Sequence, residues 1–191
     1  LIMGILNVTP DSFSDGGKFA DRKIARDHAL QMIDEGADMI DIGGESSRPG
    51  AEPVSMDEEL NRTIPVIEAI RQKSDCLISI DTYKPTVAKA ALDAGADMVN
   101  DISGFTFDNG MAPLVAKRNV PVILMHIKGI PRDMQKDPHY DNLMREIRQF
   151  FKNQVASAKA KGVSDEMIIL DPGIGFGKRL EDNFEIIREL R

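Results

Sequence analysis

The chain has 191 residues, 42% of them hydrophobic, which is enough apolar material for one substantial core. Its 24 basic and 31 acidic residues give a net charge of -7, which argues against a general nucleic-acid-binding surface. Cys76 is alone and cannot form an intrachain disulfide, and no apolar stretch approaches the roughly 20 residues of a membrane span. We therefore expect a cytoplasmic protein that binds neither nucleic acid nor a membrane.

Six short apolar runs predict six β-strands, at residues 1–6, 39–42, 77–80, 98–99, 122–125 and 167–170. The first run has no alternation of apolar and polar residues, which is typical of a parallel strand covered on both faces. Segments with helical apolar spacing lie between the runs, as at Leu60, Ile64 and Ile67. Repeated βα units indicate an α/β fold with a parallel sheet, either doubly wound or closed as a barrel. Both forms bind ligands at the carboxyl ends of the strands.

A polar loop begins at Asn7, directly after the first apolar run. Pro10 stops the strand, and Gly16 and Gly17 give the backbone freedom to turn. Asn7 and Asp15 carry oxygen ligands of the kind that Mg2+ takes, so the loop is a candidate metal site. The alternative interpretation is a hydrophilic surface loop.

Polar side chains also close the later strands. Asp81, Asn100 and Asp171 carry most weight, because two carboxylates and an amide suit a ligand rich in N–H donors, such as a 2-amino-4-oxo pyrimidine ring. The competing interpretation is that each of these residues only shapes a turn or caps the next helix, but recurrence at successive strand ends favours a binding site. His126 closes another strand as either a base or, more commonly at such a position, a hydrogen-bond partner.

Two glycine-containing loops complete the candidate set. Residues 43–50 contain Ser46, Ser47 and Arg48, and a guanidinium in a Pro/Gly loop suits phosphate oxygens. Residues 171–178 lack the spacing of a Walker phosphate loop. Their glycines instead predict a tight turn in contact with ligand, and Phe176 offers a flat wall.

Together these motifs resemble those of the dihydropteroate synthases, the pterin-binding TIM-barrel enzymes of folate biosynthesis and the target of sulfonamides. The resemblance implies an α/β fold of the (β/α)8 barrel type, of which the chain holds about six βα units. It implies one pterin-binding domain over residues 1–191 that is incomplete at the C-terminus. The matching motifs follow in family order at residues 7–17, 36–49, 79–82, 99–101, 124–126 and 171–173.

The resemblance implies that a hydroxymethyl-dihydropterin diphosphate condenses with 4-aminobenzoate, giving dihydropteroate and diphosphate, with Mg2+ as cofactor. Asp81, Asn100 and Asp171 would bind the edge of the pterin. Met125 would pack near its ring, and Asn7 would ligate the Mg2+ on the diphosphate.

The other implied site residues serve the leaving group and the second substrate. Arg48 with Ser47 would hold the diphosphate, and Asp15 would complete the site from the first loop. Arg48, Asp15 and Asp81 form the implied catalytic set. The residues bordering 4-aminobenzoate would be Phe13, Pro49, Gly175 and Phe176.

The chain departs from the family pattern after Asp171, where only one further helix is predicted, over residues 183–190. Two βα units, the family's lysine after the seventh strand, its Arg-x-His motif and the helices of its dimer interface have no counterpart. We therefore expect little or no turnover from the 191 residues alone. The resemblance implies that the longer parent forms a homodimer through the helices that are absent here.

Two alternatives remain open. A methyltetrahydrofolate methyltransferase shares the barrel and the pterin carboxylates, but its methyl donor carries no diphosphate and would not require Asn7, Ser47 and Arg48. The other alternative is a fragment that binds pterin without catalysis.

Overall fold

The computed structural model describes residues 1–9 and 17–190, with side chains described for 1–9 and 22–190. Strands and helices alternate along these residues, so the predicted α/β class and the six βα units are confirmed. The elements are β1 (Met3–Asn7), α1 (Gly17–Asp34), β2 (Met39–Gly43), α2 (Met56–Arg71), β3 (Leu77–Asp81), α3 (Pro85–Asp93), β4 (Met98–Asp101), α4 (Met111–Arg118), β5 (Val122–Met125), α5 (Leu143–Ala160), β6 (Ile168–Asp171) and α6 (Leu180–Glu189).

The strands form a sheet in sequence order from β1 to β6, and every pair with a described register is parallel. Five strands run one or two residues past their predicted ends, because backbone hydrogen bonding to the neighbouring strand continues beyond the apolar run. Four of the predicted site residues therefore belong to the last two residues of their strands instead of following them: Asn7, Asp81, Asn100 and Asp171.

The chain divides into two compact units, Leu1–Ser46 with Pro53–Asn100, and Ser47–Glu52 with the chain from Asp101 onward. The single domain expected from the sequence stays a prediction. In the first unit β2 and β3 supply the core, since Ile40, Ile42, Ile78 and Ile80 are fully buried. Burying a side chain of this size contributes about 1.5–3 kcal/mol, which favours β2 and β3 as interior strands. The expectation that the first strand is covered on both faces is wrong for β1, because Ile5 on that strand is 55% exposed.

The second unit has an apolar cluster of its own, in which Leu143 and Ile147 of α5 pack with Ile186 of α6. The two α5 residues are four apart, so they lie on one helical face. Among the described residues, no helix is both long and apolar enough to cross a membrane. The last helix begins at Leu180, three residues before its predicted start.

Candidate active site

In the first unit, the register of four neighbouring strands brings the predicted pterin and metal residues into one row. Asn7 pairs with Gly43, Gly43 with Asp81, and Asp81 with Asn100. These positions are up to 93 residues apart in sequence, from 7 to 100, yet they stand at the same level of the sheet. The row lies at the carboxyl ends of the strands, where parallel α/β folds bind ligands.

Gly43 leaves room for two oxygen atoms in this row. A methyl group added at Gly43 would lie 3.2 Å from Asp81 Oδ2 and 3.6 Å from Asn7 Oδ1. The side chains of Asn7 and Asp81 therefore lean over the glycine from the strands on either side. This places an amide oxygen and a carboxylate oxygen side by side, and both are ligands suited to a hard cation such as Mg2+.

Asn100 is oriented by Asp41, a carboxylate inside β2 that is only 3% exposed. Asn100 Nδ2 donates a hydrogen bond of 3.0 Å to Asp41 Oδ2. The other end of the amide, Asn100 Oδ1, is buried and has no hydrogen-bond partner among the described residues. An open buried acceptor costs about 1–3 kcal/mol, so this oxygen is suited to receive an N–H donor from a ligand.

The role of Asp41 was not evident from the sequence. A signal was present, because a carboxylate within the apolar run Met39–Gly43 must be buried and must find a donor. What the sequence did not reveal is that the donor is the Asn100 side chain, 59 residues away.

A largely buried ionic cluster holds the two ends of the loop that follows β2. Lys84 Nζ lies 2.5 Å from Glu45 Oε2 and 2.5 Å from Glu59 Oε2, and the Glu59 side chain is only 1% exposed. Glu45 also accepts from the Val54 N–H at 2.9 Å and from the Tyr83 hydroxyl at 2.8 Å. Burial opposes the charge of Lys84, but the hydrogen bonds to Glu45 and Glu59 raise its pKa overall.

Ser47 and Arg48, the residues predicted to bind the diphosphate, follow Glu45 in the chain and belong to the second unit. Ser47 is half-buried, whereas Arg48 and Pro49 are exposed. The Ala51 N–H donates to the Arg48 carbonyl at 3.1 Å, which closes a tight turn directly after the guanidinium-bearing residue. Arg48 is thus an exposed residue on a tight turn, and its side-chain type is suited to binding an anion.

Met125 and Asp171 are paired in register at the ends of β5 and β6 in the second unit. Met125 is buried and Asp171 is half-buried. Asp171 Oδ1 accepts from the Gly173 N–H at 2.7 Å, so the carboxylate also shapes the turn that follows it. The residue thus fulfils the turn interpretation, and its predicted role in pterin binding stays a prediction.

His126, directly after β5, is a hydrogen-bond partner in this structure. Its Nδ1 lies 3.1 Å from Lys178 Nζ, and its ring meets Phe150 edge-on with 4.9 Å between centroids. Because an ammonium only donates, Nδ1 accepts and the ring proton is on Nε2. Burial and then the charge of Lys178 lower the pKa of His126 to about 4. The structure therefore favours the hydrogen-bond partner over the base.

The acidity of His126 has a measurable consequence for stability. In the unfolded chain a histidine pKa is about 6.5, so between pH 6.5 and 4 the unfolded state binds the extra proton and unfolding is favoured. We expect the free energy of unfolding to fall by about 3 kcal/mol as the pH drops from 7 to below 4 on account of this residue. Urea unfolding at a series of pH values measures it.

The matched variants for this measurement are His126→Gln, which keeps an acceptor without titrating, and His139→Gln on the surface. The first should flatten the acid dependence and the second should not. An unchanged slope in His126→Gln would contradict the assignment.

The turn that carries Gly175 and Phe176 is held by several polar contacts. The Gly175 N–H donates to Asn183 Oδ1 at 2.9 Å, and Gly175 also accepts from the Gln135 amide. Tyr140 OH donates to the Gly177 carbonyl at 2.7 Å. Phe176 is half-buried, so part of its ring is available as the predicted wall.

Phe13 and Asp15 lie outside the described residues, and their roles stay predictions. Within residues 1–9 and 17–190, no group of three histidine, cysteine, aspartate or glutamate side chains could hold a metal. The oxygens of Asn7 and Asp81 beside Gly43 are nevertheless compatible with a Mg2+ that keeps several waters.

A parallel α/β sheet with a row of polar groups at the carboxyl ends of its strands is the arrangement in which proteins of this class bind small molecules. The sequence model of one family, described as pterin binding enzyme, matches residues 3–191, and the chain belongs to this family.

Similar proteins support this membership. The dihydropteroate synthase of Synechocystis sp. is 56% identical over 99% of this chain and 65% of its own length, and that of Clostridium beijerinckii is 54% identical over 99% and 68%. The structure of Yersinia pestis dihydropteroate synthase with a sulfonamide drug is 46% identical, covering 99% of this chain and 68% of that one, with a TM-score of 0.92. The chain thus spans about two thirds of the length of these relatives, and 65% of the first.

Proposed function

We propose that the protein containing this chain is a dihydropteroate synthase. The observation that carries the proposal is the strand-end row of Asn7, Asp81 and Asn100, with its open buried acceptor at Asn100 Oδ1. A pterin edge offers ring and exocyclic N–H donors, which such acceptors can bind. A Xanthomonas albilineans dihydropteroate synthase solved with 7,8-dihydropteroate is 41% identical with a TM-score of 0.87, which supports the same assignment.

The reaction exchanges one bond at the pterin methylene carbon. The bond from this carbon to diphosphate oxygen breaks, the bond to the 4-aminobenzoate nitrogen forms, and the nitrogen loses a proton. Asp81 and Asn100 hold and orient the pterin, so the electron-rich ring can stabilise positive charge at the methylene. Arg48 and Ser47 bind the departing diphosphate, and no protein nucleophile is required.

Mg2+ is the proposed cofactor. Asn7, with the neighbouring Asp81 oxygen, would hold it, and the ion would neutralise part of the diphosphate charge when bound. Asp171 and Met125 are proposed for the pterin, while Pro49, Gly175 and Phe176 are proposed for 4-aminobenzoate. Phe13 and Asp15 are proposed from the first loop.

Sulfonamide sensitivity is part of the proposal, since the Yersinia pestis relative was solved with such a drug. The homodimer and the cytoplasmic location stay predictions. The relatives named above are synthases, which favours this function over a methyltransferase of the methyltetrahydrofolate type.

The test is the release of diphosphate by the whole protein, supplied with the pterin diphosphate, 4-aminobenzoate and Mg2+. Release should require both substrates and should be matched by formation of dihydropteroate. Diphosphate release without that product, or no reaction with both substrates present, would overturn the proposal.

Replacing Arg48 with alanine should distinguish the contribution of the diphosphate to binding from that of the pterin. Loss of charge-assisted hydrogen bonds is expected to weaken binding of the diphosphate-bearing pterin by about 10- to 100-fold, with free pterin changed less than about twofold. Calorimetric titration of both ligands measures this, with the exposed Arg148→Ala as the matched control. Equal losses for both ligands would contradict the role of Arg48.

A further inference from the structure

Lys178 is a buried cation that the proposed reaction does not use. Lys178 is only 2% exposed. Its ammonium donates hydrogen bonds to three acceptors: His126 Nδ1 at 3.1 Å, the His126 carbonyl at 3.1 Å and the Phe176 carbonyl at 2.9 Å. Three acceptors match the three protons of an ammonium. Among the described residues, no carboxylate lies within salt-bridge distance of the ammonium, so all of its direct polar contacts are hydrogen bonds to neutral acceptors.

A charge buried on neutral acceptors is costly, and a methylene stem of the same length would fill the space without that cost. Burial indeed lowers the pKa of Lys178 to about 8, although Asp171 and Asp182 partly support its charge. What the ammonium provides, and an apolar side chain would not, is a link between two separate segments. It joins the end of β5 to the turn that follows β6.

The backbone of the turn after β6 also packs closely against the residues that follow β5. Gly173 sits with a positive φ of 67° directly against the His126 carbonyl, and Gly177 does the same with a φ of 64° against the Lys128 carbonyl. Between these two glycines lie Gly175 and Phe176, the residues proposed to border 4-aminobenzoate. The Lys178 ammonium donates a hydrogen bond to the carbonyl of Phe176 itself, so it fixes the backbone that orients the Phe176 ring.

We propose that Lys178 is a positioning residue for 4-aminobenzoate: its ammonium holds the turn containing Phe176 against the end of β5. The inference rests on the proposed function, because it takes Gly175 and Phe176 as the border of the second substrate. It places Lys178 behind the turn and out of contact with substrate. Loss of the ammonium should therefore weaken the binding of 4-aminobenzoate and leave the binding of the pterin diphosphate nearly unchanged.

The kinetic test uses Lys178→Met in the whole protein, with Lys152→Met on the exposed face of α5 as control. We expect the KM for 4-aminobenzoate to rise about tenfold, the effect of losing one charge-assisted hydrogen bond, and the KM for the pterin diphosphate to change less than about twofold. Parallel rises in both KM values, or no change in either, would overturn the proposal.

The wild-type protein offers a second test that does not depend on a variant folding. The KM of the wild-type protein for 4-aminobenzoate should rise as the pH passes about 8, where the Lys178 ammonium loses one of its three protons. Lys178→Met serves only as a control here, and its KM should not show this rise. The charged and titratable groups facing the pair are Asp171 and Asp182 around Lys178, and Lys128, Glu146 and Tyr140 around His126. A wild-type KM that stays flat from pH 7 to 9.5 would contradict the proposal.

A spectroscopic test separates this inference from the proposed function. The chain has three histidines, so 15N-histidine labelling resolves His126, whose Nδ1 should be an unprotonated acceptor at pH 7 and should shift in Lys178→Met. This signature with no dihydropteroate formed would reject the synthase and retain the contact. Dihydropteroate formed, with His126 unaffected by Lys178→Met, would reject the contact and retain the synthase.

Discussion

Replacing Lys84 with methionine is expected to lower the free energy of unfolding by about 3–5 kcal/mol, the cost of leaving a buried charge without its partner. Glu59 is only 1% exposed and its Oε2 lies 2.5 Å from the ammonium, while its Oε1 has no hydrogen-bond partner among the described residues. Without Lys84, the Glu59 carboxylate must remain buried unpaired or take up a proton. Equilibrium urea unfolding at pH 7 measures the loss.

Lys89 supplies the matched control for this variant. It lies five residues later, on α3, the helix that begins directly after Lys84, and pairs with Asp93 at 2.8 Å, but its side chain is 61% exposed. Lys89→Met should change stability by no more than about 0.5–1 kcal/mol, because exposed ion pairs contribute little. Equal losses in the two variants would show that Lys84 is an ordinary surface lysine.

The pH dependence distinguishes charge from packing in Lys84→Met. If the loss comes from an unpaired Glu59 carboxylate, the difference from wild type should shrink as the pH is lowered from 7 towards about 4, where a carboxyl group can be protonated. A difference that stays constant over this range would assign the loss to the lysine stem instead.

Replacing Gly173 with alanine is expected to cost about 2–5 kcal/mol. The added methyl group would lie 2.2 Å from the His126 carbonyl oxygen, so the backbone of one strand end would have to move. The positive φ of 67° adds strain of about 1–2 kcal/mol for any residue with a side chain. Thermal and urea unfolding of the variant test both contributions together.

Gly175→Ala isolates the steric part, because Gly175 lies in the same turn with a φ of 85° and a methyl group there would meet nothing within 4 Å. This variant should lose only the backbone strain of about 1–2 kcal/mol. If Gly173→Ala is no less stable than Gly175→Ala, the close approach of the turn to the end of β5 is not a constraint in solution.

Much of the fold could be predicted because local patterns fixed it. The apolar runs around Ile40 and Ile78 are too hydrophobic to be anything but buried strands, and helical spacing between them required βα units. The strand ends were less accessible to prediction. Polarity at Asn7 and Asp81 suggested that the strands had stopped, yet ladder hydrogen bonds carry both residues into the sheet.

The site was predicted as a set of residue types and less well as a set of contacts. Asp81 and Asn100 were predicted as binding residues because polar groups recur at strand ends. The orienting role of Asp41, the Lys84 cluster and the ammonium of Lys178 were not, because each joins residues whose separation in sequence carries no periodic signal. Such partners are chosen by packing in three dimensions.

The sequence by itself determined the α/β class, the six βα units and the pterin-binding family, because these follow from short-range periodicity and from motifs that can be read in order. Only the tertiary structure decided which acceptor is left open at Asn100 and that His126 accepts from a lysine instead of acting as a base. The physical reason is that a buried polar atom takes its role from the partner packed against it, and parallel strands bring that partner from a distant part of the chain.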